Sequence, residues 1–539
     1  MSLARLALSI SALALAAASA PAISQTMDMP GMKMPMPAKK AAPIAKKPVA
    51  KKPATKRISH RKTSAKAVAR KKAVVPPKSA SSGQMVPMSS QQASVSPAPM
   101  PMDHSTMDHD DMPMPMPTQP SAGPQPPTPT DHSRMDHGQG QMTMPMGEQG
   151  GGHAMAMNGA LGPYPMERES SGTAWQPDTS EHTGLHVMSG DWTLMAHGTL
   201  NLVYDRQSGK RGDDKAFVSG MLMGMAQHPL GDGAVQFKAM LSPDPIMGPK
   251  GYPLLLASGE TANGVDRLID RQHPHDLFME LSASVSQNIG RSSSVFIYGG
   301  LPGEPAFGPP AFMHRESIMD SPEAPITHHW LDSTHITFGV VTAGLVLDRV
   351  KVEVSRFNAR EPDQHRWNIE TGPLDSTSLR MSWNPTKTLS LQGSWGHFVD
   401  PEQLEPGVNQ KRWSASALWA NEIAPGWKAA GTLAWGRKSA DGHNDDGVAA
   451  EASLKHANWT IFGRGEWTEN RELTDVEDGP AYRVGKVSLG AVRDFRIADH
   501  FSIGAGGLFS LNFVPDGLAA AYGGNNPTGA MGFVRLKLD

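Results

Sequence analysis

The chain has 539 residues, of which 19% are charged, and a formal net charge of −2 near neutral pH. It contains no cysteine, which excludes disulfides, Cys-ligated zinc, iron–sulfur clusters and thiolate-ligated copper centres. All 12 Trp, 6 Tyr and 15 Phe lie at or after Tyr164, so the preceding residues have no aromatic side chain with which to build a core. We therefore expect a long disordered arm followed by one large folded domain.

Residues 1–24 are predicted to be an export signal. Arg5 supplies a positive charge, and residues 6–18 are an apolar run too short to span a bilayer. Small residues follow, and Ala22-Ile23-Ser24 places the preferred cleavage point before Gln25. The alternative, an uncleaved membrane anchor, needs a longer apolar run. The sequence thus predicts export from the cytoplasm.

Residues 25–84 are predicted to be a disordered segment, first rich in Met and Pro and then in Lys, Pro and Ala. Between residues 39 and 78 there are 15 Lys or Arg and no acidic residue. Such a polycation favours anionic contacts such as lipopolysaccharide, cell-wall polymers or lipid head groups, although a solvated spacer that extends by self-repulsion fits equally well. Nucleic acid is not expected as a partner, because the chain is exported and this segment has no stacking aromatics.

Residues 85–174 are predicted to be a disordered, metal-binding arm. The motif Met102-Asp103-His104 recurs at residues 107–109 and 135–137. Of 33 Met, 19 lie between Met27 and Met157, where no core exists to use them for packing. Thioether sulfur suits Cu(I), and imidazole binds Cu(I) and Cu(II). The candidate ligands are Met102, His104, Met107, His109, Met112, Met114, Met116, His132, Met135, His137, Met142, Met144, Met146 and His153.

The pattern of this arm favours copper, as Cu(I) or Cu(II), over zinc or nickel, because repeated Met accompanies the His. Copper should be loosely bound and exchangeable, since an unfolded segment offers no rigid ligand geometry. The remaining alternative is compositional bias with no role in metal binding.

Residues 175–539 are predicted to form an all-β, antiparallel transmembrane barrel of the outer-membrane type, with about 14–18 strands. No run of 18 apolar residues occurs, whereas short segments alternate strictly between apolar and polar residues. Three of these segments begin and end their apolar face with Trp: residues 413–419, 427–435 and 459–467. Small residues fill the middle of each face, as expected of lipid-facing strands between two aromatic girdles.

Sixteen candidate strands follow from this alternation, at residues 192–204, 217–226, 234–241, 277–287, 294–300, 335–347, 350–357, 378–384, 388–397, 412–420, 427–436, 448–455, 458–467, 484–494, 501–511 and 529–538. The two longest stretches without a strand pattern, residues 242–276 and 301–334, are predicted to be extracellular loops or an inward-folded plug.

Histidines are dense in these irregular stretches. His273 and His275, separated by one Pro, are the pair that we expect to present both rings to one metal ion. His314, His328, His329 and His335 follow, and Met195 and His197 lie on the predicted lumen side of the first strand. The alternative for each is an ordinary structural hydrogen bond. No motif typical of a catalytic site occurs, so the chain is predicted not to be an enzyme.

An exported arm with Met-Asp-His repeats, followed by an outer-membrane barrel, resembles the copper resistance protein B family. The resemblance implies copper binding, sequestration or efflux at the outer membrane, with the arm in the periplasm. Expected partners are copper ions, outer-membrane lipid and periplasmic copper proteins. Two alternatives stay open: a structural or adhesive protein whose arm tethers it to the cell wall, and a passive channel. The sequence leaves the oligomeric state undetermined.

Overall fold

A computed structural model describes residues 158–181, 184–474 and 479–538. Its strands are β1 (Leu185–Ser189), β2 (Trp192–Gln207), β3 (Asp214–Leu230), β4 (Gly233–Leu241), β5 (Tyr252–Thr261), β6 (Arg267–Gln272), β7 (Phe278–Gly290), β8 (Ser293–Gly300), β9 (Val340–Leu347), β10 (Val350–Phe357), β11 (Ser376–Thr386), β12 (Leu389–Phe398), β13 (Gln410–Ala424), β14 (Trp427–Ala440), β15 (His443–His456), β16 (Trp459–Asn470), β17 (Tyr482–Ala498), β18 (Phe501–Phe513) and β19 (Thr528–Leu538).

Helices are short in the described part of the chain. Two are α-helical, His328–Leu331 and Asp516–Tyr522, and four are 3₁₀ turns, at Met166–Arg168, Asp244–Met247, Phe312–His314 and Ser333–His335. None of these helices is long and apolar enough to cross a membrane.

Sixteen strands form the wall of a closed antiparallel barrel. β2, β3, β4 and β7 to β19 pair in sequence order, and β19 closes the ring by pairing with β2 from Gly529↔Gln207 to Leu538↔Gly198. β1 pairs with the first residues of β2, beyond the point where β19 ends. The predicted fold class is confirmed, and each of the 16 predicted segments overlaps one wall strand.

The two faces of the wall differ as the alternation predicted. On β13, Trp413 and Trp419 face outward, while Arg412, Ser414 and Ser416 are buried inside. On β16, Trp459 and Trp467 are exposed, whereas Arg464 and Glu466 are buried. An apolar outer belt bounded by Trp, around a polar interior, is the arrangement that a bilayer requires of a spanning barrel.

The connections at the two ends of the barrel have different lengths. At one end, which we call the short-turn end, tight turns join β3 to β4, β7 to β8, β9 to β10, β11 to β12, β13 to β14, β15 to β16 and β17 to β18. At the other end, the long-loop end, residues 242–277 and 301–339 provide the longest connections. In outer-membrane barrels the short turns face the periplasm.

Both of these long connections fold into the lumen, so the plug alternative is the one that the structure supports. The first carries the β5–β6 hairpin, whose Leu254, Leu255 and Leu256 are fully buried. They form a core with wall residues that include Phe462 and Phe533. We call residues 242–277 and 301–339 together the plug.

The second connection is held by buried ion pairs. Arg315 is completely buried, and its guanidinium lies 2.5 Å from Asp332 Oδ2 and 2.6 Å from Glu451 Oε1 on β15. Trp330 also reaches the wall: Gly436 and Gly447, which pair across β14 and β15, lie directly against it. A side chain at either glycine would collide with Trp330, so the wall is shaped to receive the plug.

Residues 158–174 are folded, although the sequence predicts disorder there. The sequence predicts them to be the end of the disordered arm, but the structure packs them inside the barrel, where Leu161, Tyr164 and Trp175 form a core with Phe296 and Val346 of the wall. Tyr164 and Trp175 supply the apolar surface that the preceding sequence lacks, and this burial offsets the entropy of ordering the segment. The folded domain therefore begins before residue 175.

Residues 158–181, which we call the lumen segment, lie toward the short-turn end. Gln227, near the β3–β4 turn, donates to the Asn158 carbonyl, and Arg168 donates to the Asp348 carbonyl in the β9–β10 turn. Thr179 donates to the Lys387 carbonyl in the β11–β12 turn. Further inside, Ala311 of the plug donates its backbone N–H to Ser171 Oγ at 2.9 Å. The lumen segment and the plug thus meet within the barrel.

Candidate metal site in the barrel lumen

Most of the predicted ligands lie outside the described residues. These are Met102, His104, Met107, His109, Met112, Met114, Met116, His132, Met135, His137, Met142, Met144, Met146 and His153. The export signal and the basic linker lie there as well. His273 and His275 are the two predicted ligands that the structure describes, and both are buried in the plug.

The structure gives these two rings different partners. His273 Nε2 lies 3.1 Å from Glu260 Oε1, and its ring is next to His328 and His329, with centroid distances of 5.7 and 5.5 Å. His275 Nδ1 lies 2.9 Å from Asp244 Oδ2, and its ring is 5.1 Å from that of His335. The Pro between them thus directs one ring toward Glu260 and the other toward His335.

Five histidines form a continuous row through the plug. His328 links the two pairs, because its ring centroid is 5.6 Å from that of His329 and 5.2 Å from that of His335. We call His273, His275, His328, His329 and His335 the histidine row. The second plug connection supplies three of its members, and the residues just after β6 supply the other two.

Hydrogen bonds fix the orientation of three of these rings. His275 Nδ1 is bound to Asp244, His328 Nδ1 lies 2.8 Å from Asp332 Oδ1, and His335 Nδ1 lies 2.7 Å from the Asp332 carbonyl oxygen. With Nδ1 as the donor in each case, a neutral ring has its lone pair on Nε2. A carboxylate or carbonyl on the far nitrogen is the usual second shell of a metal-binding histidine.

Burial keeps two of these rings neutral. Burial, together with the neighbouring His275 and His328, holds the pKa of His335 well below its ordinary value. Burial also lowers the pKa of His328, against the opposing effect of the Asp332 carboxylate. For His329 the Glu361 carboxylate outweighs burial and raises the pKa. Neutral imidazoles are the form that binds metal.

Methionines line the lumen next to this row. Met221, Met223, Met240 and Met279 are buried in one cluster with Ile336 and Phe338, and Met225 and Met313 pack against it. We call these six Met the methionine cluster. Cross-strand pairing brings Met195 opposite Met225 and His197 opposite Met223, which agrees with the predicted lumen side of Met195 and His197. The His197 ring in turn lies 6.1 Å from that of His314.

The plug joins the two groups. The centroid of the Phe312 ring lies 5.9 to 6.5 Å from the ring centroids of His275, His328 and His335. The next residue, Met313, packs in the methionine cluster, and His335 is followed by Ile336 of the same cluster. Imidazole and thioether side chains therefore lie in adjoining layers of the lumen.

Sequence reasoning missed the methionine cluster, although a signal was present. Met221, Met223 and Met225 occur at every second position of β3, which places all three on one face. Met240 and Met279 come from other strands, and only the closed wall brings them together. Across residues 158–181, 184–474 and 479–538, no three His, Asp or Glu side chains converge closely enough to enclose a metal ion.

Comparisons with known proteins identify no family. No family model matches the chain, and no curated protein sequence matches it. Solved outer-membrane proteins are similar only at a distance. OmpT of Vibrio cholerae shares 9% identity and covers 66% of this chain and 100% of its own, with a TM-score of 0.38.

Two other solved structures have similar identity, coverage and TM-score. The anion-selective porin from Comamonas acidovorans has 11% identity, covers 64% of this chain and 99% of its own, and gives a TM-score of 0.37. Salmonella typhi OmpF in complex with daunomycin has 11% identity, covers 65% of this chain and 100% of its own, and gives a TM-score of 0.41.

Proposed function

We propose that this protein is a non-enzymatic copper-binding barrel of the outer membrane that contributes to copper tolerance, by sequestration or efflux. The observation that carries the proposal is the accumulation of uncharged soft ligands within the lumen. The methionine cluster and the histidine row place thioether and imidazole groups side by side in the interior of a membrane barrel. Copper, above all Cu(I), prefers this donor set.

The arm supports the same proposal. Its Met-Asp-His repeats offer the same two ligand types, in a segment with no aromatic residue to pack against. Asn158, the first described residue after the arm, lies at the short-turn end through its contact with Gln227. The arm is therefore proposed to collect copper in the periplasm, on the side where it joins the barrel.

The filled lumen favours this proposal over a passive channel. Arg315, Lys351 and Lys486 are fully buried inside the wall, each next to a carboxylate. A water-filled pore for general solutes would leave such charges hydrated. Transport through the described lumen would need the plug or the lumen segment to move.

Replacing the ligands of the arm tests the proposal. In the full-length protein, every Met between residues 85 and 157 is changed to Leu and every His to Gln. The expected result is loss of most of the bound Cu(I) in detergent solution and greater copper sensitivity of cells that depend on this protein. A second variant keeps the composition of the arm but scrambles its order, which tests whether the repeats themselves matter.

A control variant changes the Lys of residues 39–78 to Gln and leaves all thioethers and imidazoles in place. Its copper binding and the tolerance of its host are expected to match those of the unmodified protein. Unaltered copper binding and tolerance after removal of the arm ligands would overturn the role of the arm. An effect of the Lys changes alone would instead support the tethering alternative.

A further inference from the structure

The histidine row contains one pair that is arranged differently from the others. The Nε2 atoms of His275 and His335 are both buried, and neither has a hydrogen-bond partner among the described residues. The two residues are 8% and 5% exposed. A buried ring nitrogen without a partner loses its hydration without compensation, at a cost of about 1–3 kcal/mol. The two unpartnered nitrogens belong to neighbouring rings.

We propose that the Nε2 atoms of His275 and His335 form a buried binding site for a single Cu(I) ion in the plug. The choice of copper as the ion rests on the proposed function; the site itself rests on the geometry of the plug. The ring centroids are 5.1 Å apart. Two imidazoles that share an ion at about 2.0 Å from each nitrogen have centroids roughly 5 Å apart at a tetrahedral N–metal–N angle and roughly 6 Å apart in a linear site, so linear two-coordinate Cu(I) requires the rings to separate by about 1 Å.

The hydrogen bonds that orient the two ligand rings are already in place. Asp244 holds Nδ1 of His275, and the Asp332 carbonyl holds Nδ1 of His335, so Nε2 is the nitrogen that has the free lone pair when either ring is neutral. Asp332 is itself fixed by Arg315, which is tied to Glu451 on the wall. The orientation of the His335 ring is thus set by a chain of contacts that ends on β15.

The donor set selects a monovalent, soft ion. The two ligand atoms are imidazole nitrogens. Asp332 pairs with Arg315 and His328, and Asp244 Oδ2 lies against His275 Nδ1, while Asp244 Oδ1 is buried without a partner. Burying a divalent ion without an anionic ligand costs more than burying a monovalent one. A structural zinc ion also requires four ligands, whereas Cu(I) accepts two or three.

The surroundings keep water from the ion and offer it soft neighbours. The Phe312 ring stacks on His275 at a centroid distance of 6.2 Å and lies edge-on to His335 at 6.5 Å. Met313 and Ile336, which follow Phe312 and His335 in the chain, both belong to the layer of the methionine cluster. The methionine cluster thus adjoins the imidazole pair through Met313 and Ile336.

The test uses the full-length chain without arm ligands, in which every Met between residues 85 and 157 is Leu and every His is Gln. Cu(I) is supplied without oxygen and in the presence of a competing chelator, and Zn(II) is titrated in parallel. The expected result is one Cu(I) per barrel, with nitrogen ligands at about 2 Å in X-ray absorption spectra and much weaker binding of Zn(II).

The informative variants are His275→Asn and His335→Asn in that same chain. The Asn amide nitrogen replaces Nδ1 and can keep the hydrogen bond to Asp244 or to the Asp332 carbonyl, whereas Nε2 is lost. Each variant should bind Cu(I) at least about 10-fold more weakly, because even the loss of a second-shell partner has an effect of this size. His456→Asn, an exposed histidine on β15, serves as the matched control and should bind Cu(I) normally.

Faster migration of unheated than of boiled protein in detergent gels shows that each variant is folded. Equal Cu(I) affinity in His275→Asn, His335→Asn and His456→Asn would overturn the site, and Zn(II) binding as tight as that of Cu(I) would overturn the choice of ion. If the chain without arm ligands binds no Cu(I) while the unmodified chain does, the plug site fails and the proposed role of the arm survives. If the chain without arm ligands still binds one Cu(I), and the loss of those ligands changes neither the remaining copper binding nor copper tolerance, the plug site survives and the proposed role of the arm fails.

Discussion

At the scale of single residues, the lumen depends on charges that are buried and paired. Arg315 has no exposed surface and pairs with both Asp332 and Glu451. Removing one member of such a group leaves the others without a counter-charge in a medium that cannot solvate them. The loss of stability on replacing Arg315 is therefore expected to come mainly from the two buried carboxylates that would lose their counter-charge.

Arg315→Met should destabilise the barrel by about 3–5 kcal/mol, the usual cost of breaking a buried ion pair from one side. Urea unfolding in detergent, followed by the loss of the fast-migrating form on gels, measures this change. Arg496→Met is the control, because the Arg496 and Asp499 side chains are 73% and 91% exposed, and it should change stability by less than about 0.5 kcal/mol. Similar behaviour of the two variants would contradict the role of Arg315.

Glu304 of the plug predicts a pH dependence. Burial raises the pKa of Glu304 to about 7, and Arg380 offsets this only in part, because its guanidinium lies closer to Glu353, at 3.0 Å, than to Glu304, at 3.8 Å. A carboxyl group whose pKa is raised on folding binds more protons in the folded state. Its contribution to stability is fully present below about pH 4.5 and is lost as the pH rises through 7.

Glu304→Gln should remove this contribution, because the amide stays neutral at every pH. The measurement is the free energy of unfolding between pH 4 and pH 8 for both proteins. The difference, variant minus unmodified protein, should increase with pH across this range. A difference that stays constant would show that Glu304 keeps an ordinary pKa in the folded protein.

At the scale of elements, wall and plug were not equally predictable from sequence. The wall strands follow from a period of two residues, and Trp413, Trp419, Trp459 and Trp467 mark the ends of the apolar faces. The plug has no period, so the sequence could not decide between surface loops and an inward fold. Nor could it pair His275 with His335, because these residues are 60 positions apart and their contact depends on how two connections fold into one lumen.

Gly447 tests the fit between wall and plug. A Cβ atom at this position would lie 2.7 Å from Trp330 Cγ, so Gly447→Val should push Trp330 out of place and cost about 1–3 kcal/mol. The expected result is faster tryptic cleavage at Arg315, because this residue is buried while the plug is packed. Gly465→Val on β16 is the matched control, since nothing lies within 4 Å of its Cβ position. Equal cleavage rates would contradict the proposed contact.

At the scale of the whole molecule, the bilayer sets which outer positions tolerate charge. Leu489 on β17 is 64% exposed and pairs with Gly463, which lies midway between Trp459 and Trp467 on β16. Ile497 is 59% exposed but lies next to the turn after β17. The two positions have similar exposure and differ in depth, so a charge should affect them differently.

Leu489→Arg should therefore disfavour insertion by about 2–4 kcal/mol, and Ile497→Arg by about 0–1 kcal/mol. Equilibrium folding into phospholipid vesicles measures both values. If Ile497→Arg proved the more costly, the apolar belt would not lie where the Trp residues place it.

The barrel is filled from opposite ends, and this has a mechanical consequence. The plug enters from the long-loop end and the lumen segment from the short-turn end, and they meet where Ala311 donates to Ser171. Neither belongs to the ring of strand pairs that runs from β2 to β19. Withdrawing the lumen segment would break its contacts with the plug and with the lumen-facing side chains of the wall, but no backbone pairing within that ring. Withdrawal of the lumen segment by a force at Asn158 would thus separate it from the plug, while the ring of strands remained closed.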